Sequence, residues 1–270
     1  MFGREKVEYK TPEQVRAMRP AGLLTHAALE SVRAAIRPGI SLDELDAIGA
    51  EVIRAGGGTS NFLGYHGYPK TLCISVNHVV VHGIPGDQVL AEGDVVSVDG
   101  GCVVDGWHGD SAFTAIVGDP RDPADADLVE ATRKALWAGV AALDARGRVG
   151  DVGAAVEDSV DGAFGIVDGY TGHGIGTAMH MPPDVLNHRD RDKGPRVRPG
   201  LVVAIEPMFT RGGTDTDVLA DEWTVVTTDG TNAAHWEHTV AVREEGLWVL
   251  TAADGGASEL AAFGVSVPGS

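Results

Sequence analysis

The sequence predicts an α+β fold built as two related halves. Three observations carry this. Helical spacing opens the chain and β-branched stretches follow it; the same order restarts after the polar, proline-rich segment Asp119-Pro120-Arg121-Asp122-Pro123-Ala124-Asp125; and matched stretches recur at one separation. Gly93-Asp94-Val95-Val96-Ser97-Val98-Asp99 lies over Gly200-Leu201-Val202-Val203-Ala204-Ile205-Glu206. At the same separation Leu42-Asp43-Glu44-Leu45-Asp46-Ala47 lies over Val149-Gly150-Asp151-Val152-Gly153-Ala154, which points to duplication. The half-repeats span approximately 12–118 and 127–251 of a single domain covering 1–270. The stretch 252–270, rich in Ala, Gly and Ser, reads as a flexible tail.

The first element is a helix from Pro12. Thr11 offers a capping hydroxyl, proline suits the first position, and Gln14 completes the start signal. Pro20 predicts a kink, after which the helix resumes through Leu29 and Ile36 to the stop at Arg37-Pro38-Gly39. Ser41 caps a second helix over Leu42, Leu45, Ile48, Val52 and Ile53, stopped by Gly56-Gly57-Gly58. Strands follow at 72–76, 79–82, 95–98 and 112–117, with a turn across Gly100 to Gly106. Leu128, Ala131, Leu136, Val140 and Leu143 then restart the helical spacing.

Composition narrows the function. Against 39 Asp+Glu stand 21 Lys+Arg, a net charge of −18 that repels polyanions, so a DNA-binding role is a poor expectation. No apolar stretch is long enough to span a membrane and the N-terminus lacks a secretion signal, which reads as cytoplasmic. Two cysteines without paired spacing make neither a disulfide scaffold nor a zinc ribbon. Any metal must therefore be held by oxygen and imidazole. Asp119, Asp122, Asp125 and Asp127 read as solvated loop charge, and Cys102 as a small buried residue.

Such ligands are present. Asp99 ends an apolar strand and Asp110 opens the next, where antiparallel pairing brings them together. Two ionised carboxylates in a low-dielectric cleft repel strongly unless one is protonated or a cation lies between them. Glu206 and Glu237 are each embedded in an apolar strand stretch with no Lys or Arg, and buried acids need partners. His173 sits among closely spaced glycines in Gly172-His173-Gly174-Ile175-Gly176. Five ligands, four of them anionic, suit two divalent ions drawn from Mn(II), Fe(II), Co(II) or Zn(II). Such a pair lowers the pKa of a shared water and polarises a carbonyl, which is hydrolytic chemistry.

These residues resemble the type I methionine aminopeptidases, metallopeptidases of the pita-bread fold. The resemblance runs from Thr11 to Thr251. It rests on Gly64-Tyr65-His66-Gly67-Tyr68-Pro69-Lys70, His82-Gly83-Ile84-Pro85, Asp99 with Asp110, Gly172-His173-Gly174-Ile175-Gly176, Glu206-Pro207-Met208, Trp223-Thr224-Val225 and Glu237-His238-Thr239. It implies two pseudo-symmetric halves around a curved antiparallel sheet. It also implies that Asp110 and Glu237 bridge two metals, that Asp99 completes one site, and that His173 with Glu206 completes the other. His82 and His180 are implied as substrate ligands that steady the tetrahedral intermediate, and Glu206 as the proton shuttle. Tyr65, Tyr68, Cys73 and Trp223 would line the methionine pocket, with Phe62 and Met179 sharing its wall. The implied activity is removal of the initiator methionine from nascent polypeptides whose second residue is small. A monomer is expected because the duplicated halves already bury the site between them, and nascent-chain substrates imply weak ribosome association.

The chain departs from the commonest pattern of that family at three places. Gly100-Gly101-Cys102 follow Asp99 where many members carry a valine and a threonine, so a hydroxyl that supports a metal ligand is missing. Phe62 replaces a smaller residue and Met179 an aromatic, redistributing the pocket while keeping it apolar. The rival readings are a proline-directed aminopeptidase or prolidase of the same fold, and a metal-free binding protein on it. The second is expected to lose ligands, whereas all five positions are filled here.

Overall fold

The computed structural model describes residues 6–143, 147–160 and 162–267. Its first half comprises α1 (Pro12–Ala35), α2 (Leu42–Ala55), β1 (Thr59–Ser60), β2 (Cys73–Val76), β3 (Val79–Val81), β4 (Val95–Val104) and β5 (Trp107–Ile116). The second half begins with α3 (Pro123–Ala141), α4 (Gly150–Val160), β6 (Gly165–Ile166), β7 (Gly172–Gly174) and β8 (Met181–Val185). It continues with β9 (Val202–Ile205), β10 (Met208–Thr210), β11 (Thr216–Val218), β12 (Val225–Thr227), β13 (Ala233–His235), β14 (Glu237–Arg243), β15 (Gly246–Val249) and α5 (Ala257–Leu260). Two helices followed by strands thus occur twice, in the α+β order the sequence predicts.

Local signals account for the helix starts. The Thr11 hydroxyl accepts from the Gln14 N–H while the Gln14 side chain accepts from the Thr11 N–H, and Ser41 with Glu44 repeats the device on α2. Each cap contributes about 1 kcal/mol. α1 runs unbroken across Pro20, which sits inside it. α3 starts earlier than its apolar spacing suggests, because Asp122 caps it and Pro123 takes its first turn.

The principal sheet has the order β1-β4-β5-β14-β9-β7-β8, with β2 also on β4 and β15 on β14, and its neighbours are antiparallel. β4 corrects one expectation. Instead of turning at Gly100, it continues to Val104, and the hairpin reverses over Asp105 and Gly106, at φ 50° and 80°. Left-handed conformation at both positions matches the two-residue turn that Asp-Gly favours, a stronger turn signal than the glycine pair upstream. The longer ladder sets Asp99 opposite Ala112 and Gly101 opposite Asp110.

Each helix pair covers its own share of the strands. Leu29, Val32, Leu45, Ile74, Val96, Val98 and Phe113 form one core, and Leu136, Val140, Val152, Val203, Ile205 and Val240 another. α1 lies so close to β5 that a Cβ on Gly109 would stand 2.8 Å from Gly22 N. Two further expectations change. Asp125 is buried, accepting hydrogen bonds from Arg211 and Asn232 at 2.9 Å each, and Asp122 also pairs with Arg211, so neither is free loop charge. The stretch from Ala252 is laid against the body: Asp254 accepts from the Gly256 and Ser258 N–H groups, and Leu260 is fully buried in the second core. Residues 268–270 of the expected tail lie outside the described residues. Cys102 is fully buried, as expected.

Candidate active site

Antiparallel register lays the carboxylates on one face of four adjacent strands. Asp99 and Asp110 share a face because Asp99 and Gly101, two residues apart on β4, oppose Ala112 and Asp110 on β5. Glu237 opposes the same Ala112 from β14. On the other edge of β14, His238 opposes Ile205 of β9, so Glu206 follows in register opposite Glu237. His173 reaches this place from β7, which pairs with β9.

Ligand atoms of Asp110, His173 and Glu237 lie within 4.8 Å of one another, all three residues being buried. His173 Nε2 lies 3.5 Å from Glu206 Oε1. Asp99 lines the same cavity of about 120 Å³ as these four. Burial pushes the carboxyls of Asp99, Glu206 and Glu237 well above the ordinary carboxylate range, and Asp110 adds repulsion to each. Burial raises Asp110 to about 7, opposed by the Ser111 N–H and the Asn61 amide. Among the described residues no Lys or Arg lines the cavity.

These groups fit a divalent cation. Asp99 Oδ1 and Asp110 Oδ1 are buried without a hydrogen-bond partner. His173 Nδ1 lies 3.0 Å from the Gly174 carbonyl, which only accepts, so Nδ1 carries the proton and the Nε2 lone pair is left for a ligand bond. Burial lowers the imidazole to about 4, which keeps it neutral. Unpaired carboxylate oxygens with one neutral imidazole form a hard oxygen and nitrogen donor set.

The remaining predicted residues line the same cavity: Phe62, Tyr65, Tyr68, Cys73, His82, Met179, His180 and Trp223. Phe62, Tyr68, Cys73 and Met179 make a buried apolar cluster flanked by Tyr65 and Trp223. Tyr68 meets Trp223 edge-on at 5.0 Å, and its hydroxyl lies 3.0 Å from the carbonyls of Leu72 and Gly83. Burial pushes the Cys73 thiol up, so it stays protonated and serves as wall rather than nucleophile. His82 is held at φ 58° and lowered to about 4 by burial and by His180. His180 Nδ1 is 2.8 Å from the Tyr65 hydroxyl, and its ring meets that of His173 edge-on at 4.4 Å.

Larger hollows of about 490 and 420 Å³ lie elsewhere. Among the described residues, neither holds a buried carboxylate oxygen without a partner.

Three residues escaped sequence reasoning. His235 is buried, its Nε2 has no hydrogen-bond partner, and that atom lies 3.9 Å from Glu206 Oε2. Asn61 and Thr239 stand beside Asp110. His235 and Thr239 flank Glu237 at two residues' distance, the spacing that shares a strand face, and that signal could have found them.

Metallopeptidase family M24 matches residues 16–244. The chain belongs to that family, in its type I methionine aminopeptidase branch. It is a metal-dependent aminopeptidase by descent. It is 51% identical over 257 residues to methionine aminopeptidase 1 of Mycobacterium tuberculosis (strain CDC 1551 / Oshkosh), covering 92% of this chain and 96% of that one. The solved methionine aminopeptidase of Rickettsia prowazekii superposes with a TM-score of 0.88 at 32% identity, over 92% of this chain and all of that one (100%). A prolidase from Pyrococcus furiosus gives a TM-score of 0.71 at 20% identity, over 90% of this chain and 65% of that one, a likeness of fold alone. The fold of this M24 member is accordingly the pita-bread fold, and its likeness to methionine aminopeptidases does not favour the metal-free binding reading.

Proposed function

We propose that this protein hydrolyses the peptide bond after an N-terminal methionine whose following residue is small, using two divalent ions held by Asp99, Asp110, His173, Glu206 and Glu237. One observation carries the reading. The carboxyls of Asp99, Asp110, Glu206 and Glu237 and a neutral imidazole converge, with no Lys or Arg among the described lining residues, at a small apolar pocket walled by Phe62, Tyr68, Cys73 and Met179.

When bound, the ions lower the pKa of a water and polarise the scissile carbonyl. The chain's own residues do the rest. Tyr68, Cys73, Phe62, Met179 and Trp223 surround the methionine side chain, a soft apolar wall suited to a thioether. A free α-amine, unlike a blocked one, would have a lone pair to offer the ions that these residues hold. Glu206 takes a proton from water and delivers it to the leaving amine. His82, neutral at physiological pH, and His180, its ring fixed by the Tyr65 hydroxyl, donate to the scissile amide as it becomes tetrahedral.

We read the protein as one catalytic domain, monomeric and cytoplasmic, acting on nascent chains. Among the described residues no helix is long and apolar enough to cross a membrane. Weak ribosome contact is supported by Arg189, Arg191, Lys193, Arg196 and Arg198, exposed along one loop of an otherwise acidic chain, with Asp190 and Asp192 between them.

The test is release of free methionine from Met-Ala-Ser, beside X-Pro peptides, by chelator-treated protein titrated with Mn(II), Fe(II), Co(II) and Zn(II). Metal-dependent methionine release with inert X-Pro peptides is expected. Cleavage of X-Pro peptides alone would assign the proline-directed activity, and no cleavage with any metal would overturn the reading.

A further inference from the structure

At Gly101 the β4–β5 ladder leaves a space beside Asp110 that another residue fills. Gly101 lies directly opposite Asp110 in the β4–β5 ladder. A Cβ on Gly101 would collide with Asn61 Nδ2, and would stand 2.6 Å from Asp110 Oδ1 and 2.7 Å from the Gly109 carbonyl. The space of the missing side chain is therefore filled by the Asn61 amide, which reaches it from the segment just after β1.

Asn61 is buried and its orientation is held from three sides. Its backbone N–H donates to the Gly101 carbonyl at 3.0 Å, its Nδ2 donates to the Gly109 carbonyl at 3.0 Å, and its Oδ1 lies 3.0 Å from His108 Nδ1. With one amide proton on Gly109, the other is available on the Asp110 side. Asp110 Oδ1 is buried with no hydrogen-bond partner of its own.

We propose that Asn61 is the positioning residue for Asp110: its amide, admitted by the absent side chain at Gly101, orients the carboxylate. The inference rests on the reading of Asp110 as a metal ligand. It makes Asn61 and Gly101 a linked pair, since only one of the two positions has room for a side chain in that space. Partners behind metal ligands typically contribute 10- to 100-fold in metal affinity.

The test is calorimetric titration of the chelator-treated full chain with Mn(II), with the Tm of each metal-free protein beside it. Asn61→Ala should raise the Kd about 10-fold or more, and Gly101→Thr alone should lower Tm by collision with Asn61. Combining Asn61→Ala with Gly101→Ser or Gly101→Thr removes the collision with Asn61 but leaves the new Cβ against Asp110 Oδ1 and the Gly109 carbonyl, so affinity should be regained in whichever double variant keeps the metal-free Tm of Asn61→Ala. A hydroxyl at 101 does not reach all the bonds that Asn61 makes to Gly109 and His108, so regained affinity separates orientation of Asp110 from mere structural support. Asp110→Asn is the reference. If it loses Mn(II) while Asn61→Ala keeps the wild-type Kd, or if a double variant with the metal-free Tm of Asn61→Ala regains no affinity, the role of Asn61 is overturned and the ligand reading stands. If Asp110→Asn itself binds Mn(II) as tightly as the wild type, the ligand reading fails.

Discussion

One hydroxyl, that of Thr239, closes both backbone hydrogen bonds of Asp110: Oγ1 accepts from the Asp110 N–H at 3.1 Å and donates to the Asp110 carbonyl at 2.8 Å. The register that sets Glu237 opposite Ala112 carries Thr239 opposite Asp110, where β5 and β14 have ceased to pair through their backbones. Thr114 serves His235 in the same way, accepting from its N–H at 2.9 Å and donating to its carbonyl at 2.7 Å. Threonine hydroxyls thus stand in for ladder bonds where the strands separate around the carboxylates, joining the halves while leaving room between them.

Replacing that hydroxyl tests its contribution. Thr239 is fully buried, so Thr239→Val keeps the shape and leaves the Asp110 N–H and carbonyl unpaired. A loss of about 2 kcal/mol in denaturant unfolding is expected, with Mn(II) affinity weakened about 10-fold. Thr239→Ser should retain both properties. A valine variant that binds Mn(II) like the wild type would show that the staple does not orient Asp110.

His82 and Asp110 should separate chemistry from metal binding. His82→Ala removes a neutral donor and should lower kcat/KM on Met-Ala-Ser by about 10²- to 10³-fold with metal content unchanged, as measured by elemental analysis. Asp110→Asn should abolish both metal retention and activity. Loss of metal from His82→Ala would move that histidine among the ligands.

Much of this site was legible in the sequence because its acids stand out against apolar strands and follow a known order. Asp99, Glu206 and Glu237 announce themselves by sitting where β-branched residues otherwise run. Relationships across strands were hidden. The Gly100-Gly101 pair reads locally as a turn, and only the ladder shows that Gly101 faces Asp110 and makes room for Asn61. Asp125 lies in a run of loop acids and gains its partners from Arg211 and Asn232, far along the chain. Leu260, in an Ala- and Gly-rich stretch, is buried by a core assembled from α3, α4 and their strands. Local composition does not carry such contacts.

Pocket shape gives a specificity prediction. Met179 and Phe62 close the apolar wall, and Met179 is 4% exposed, so Met179→Ala opens space beside the substrate side chain without touching a proposed ligand. Lost contact of this size should lower kcat/KM for Met-Ala-Ser by about 10- to 200-fold, with metal content retained. The variant should discriminate less against N-terminal residues bulkier than methionine, read by a peptide panel differing only at the first residue. Unchanged selectivity would remove Met179 from the pocket wall.

The pH dependence of the metal-free protein follows from the buried carboxyls. Asp110 is pushed up to about 7, whereas an unfolded aspartate titrates near about 3.9. Between those values the native protein keeps a proton that the unfolded chain releases. That stabilisation is fully present below the unfolded pKa and is lost as pH rises through the folded one. Asp110→Asn does not titrate, so it provides the baseline. Chelator-treated wild type should lose Tm relative to Asp110→Asn between about pH 5 and about pH 8. Added Mn(II) should reverse the trend for the wild type alone, because the cation supplies the charge that the ionised carboxylates lack. Binding must then expel protons, so the heat of Mn(II) binding near about pH 6 should vary with the ionisation enthalpy of the buffer. A Tm difference that stays flat across this range would mean that Asp110 holds no proton of its own in the metal-free cluster of carboxyls.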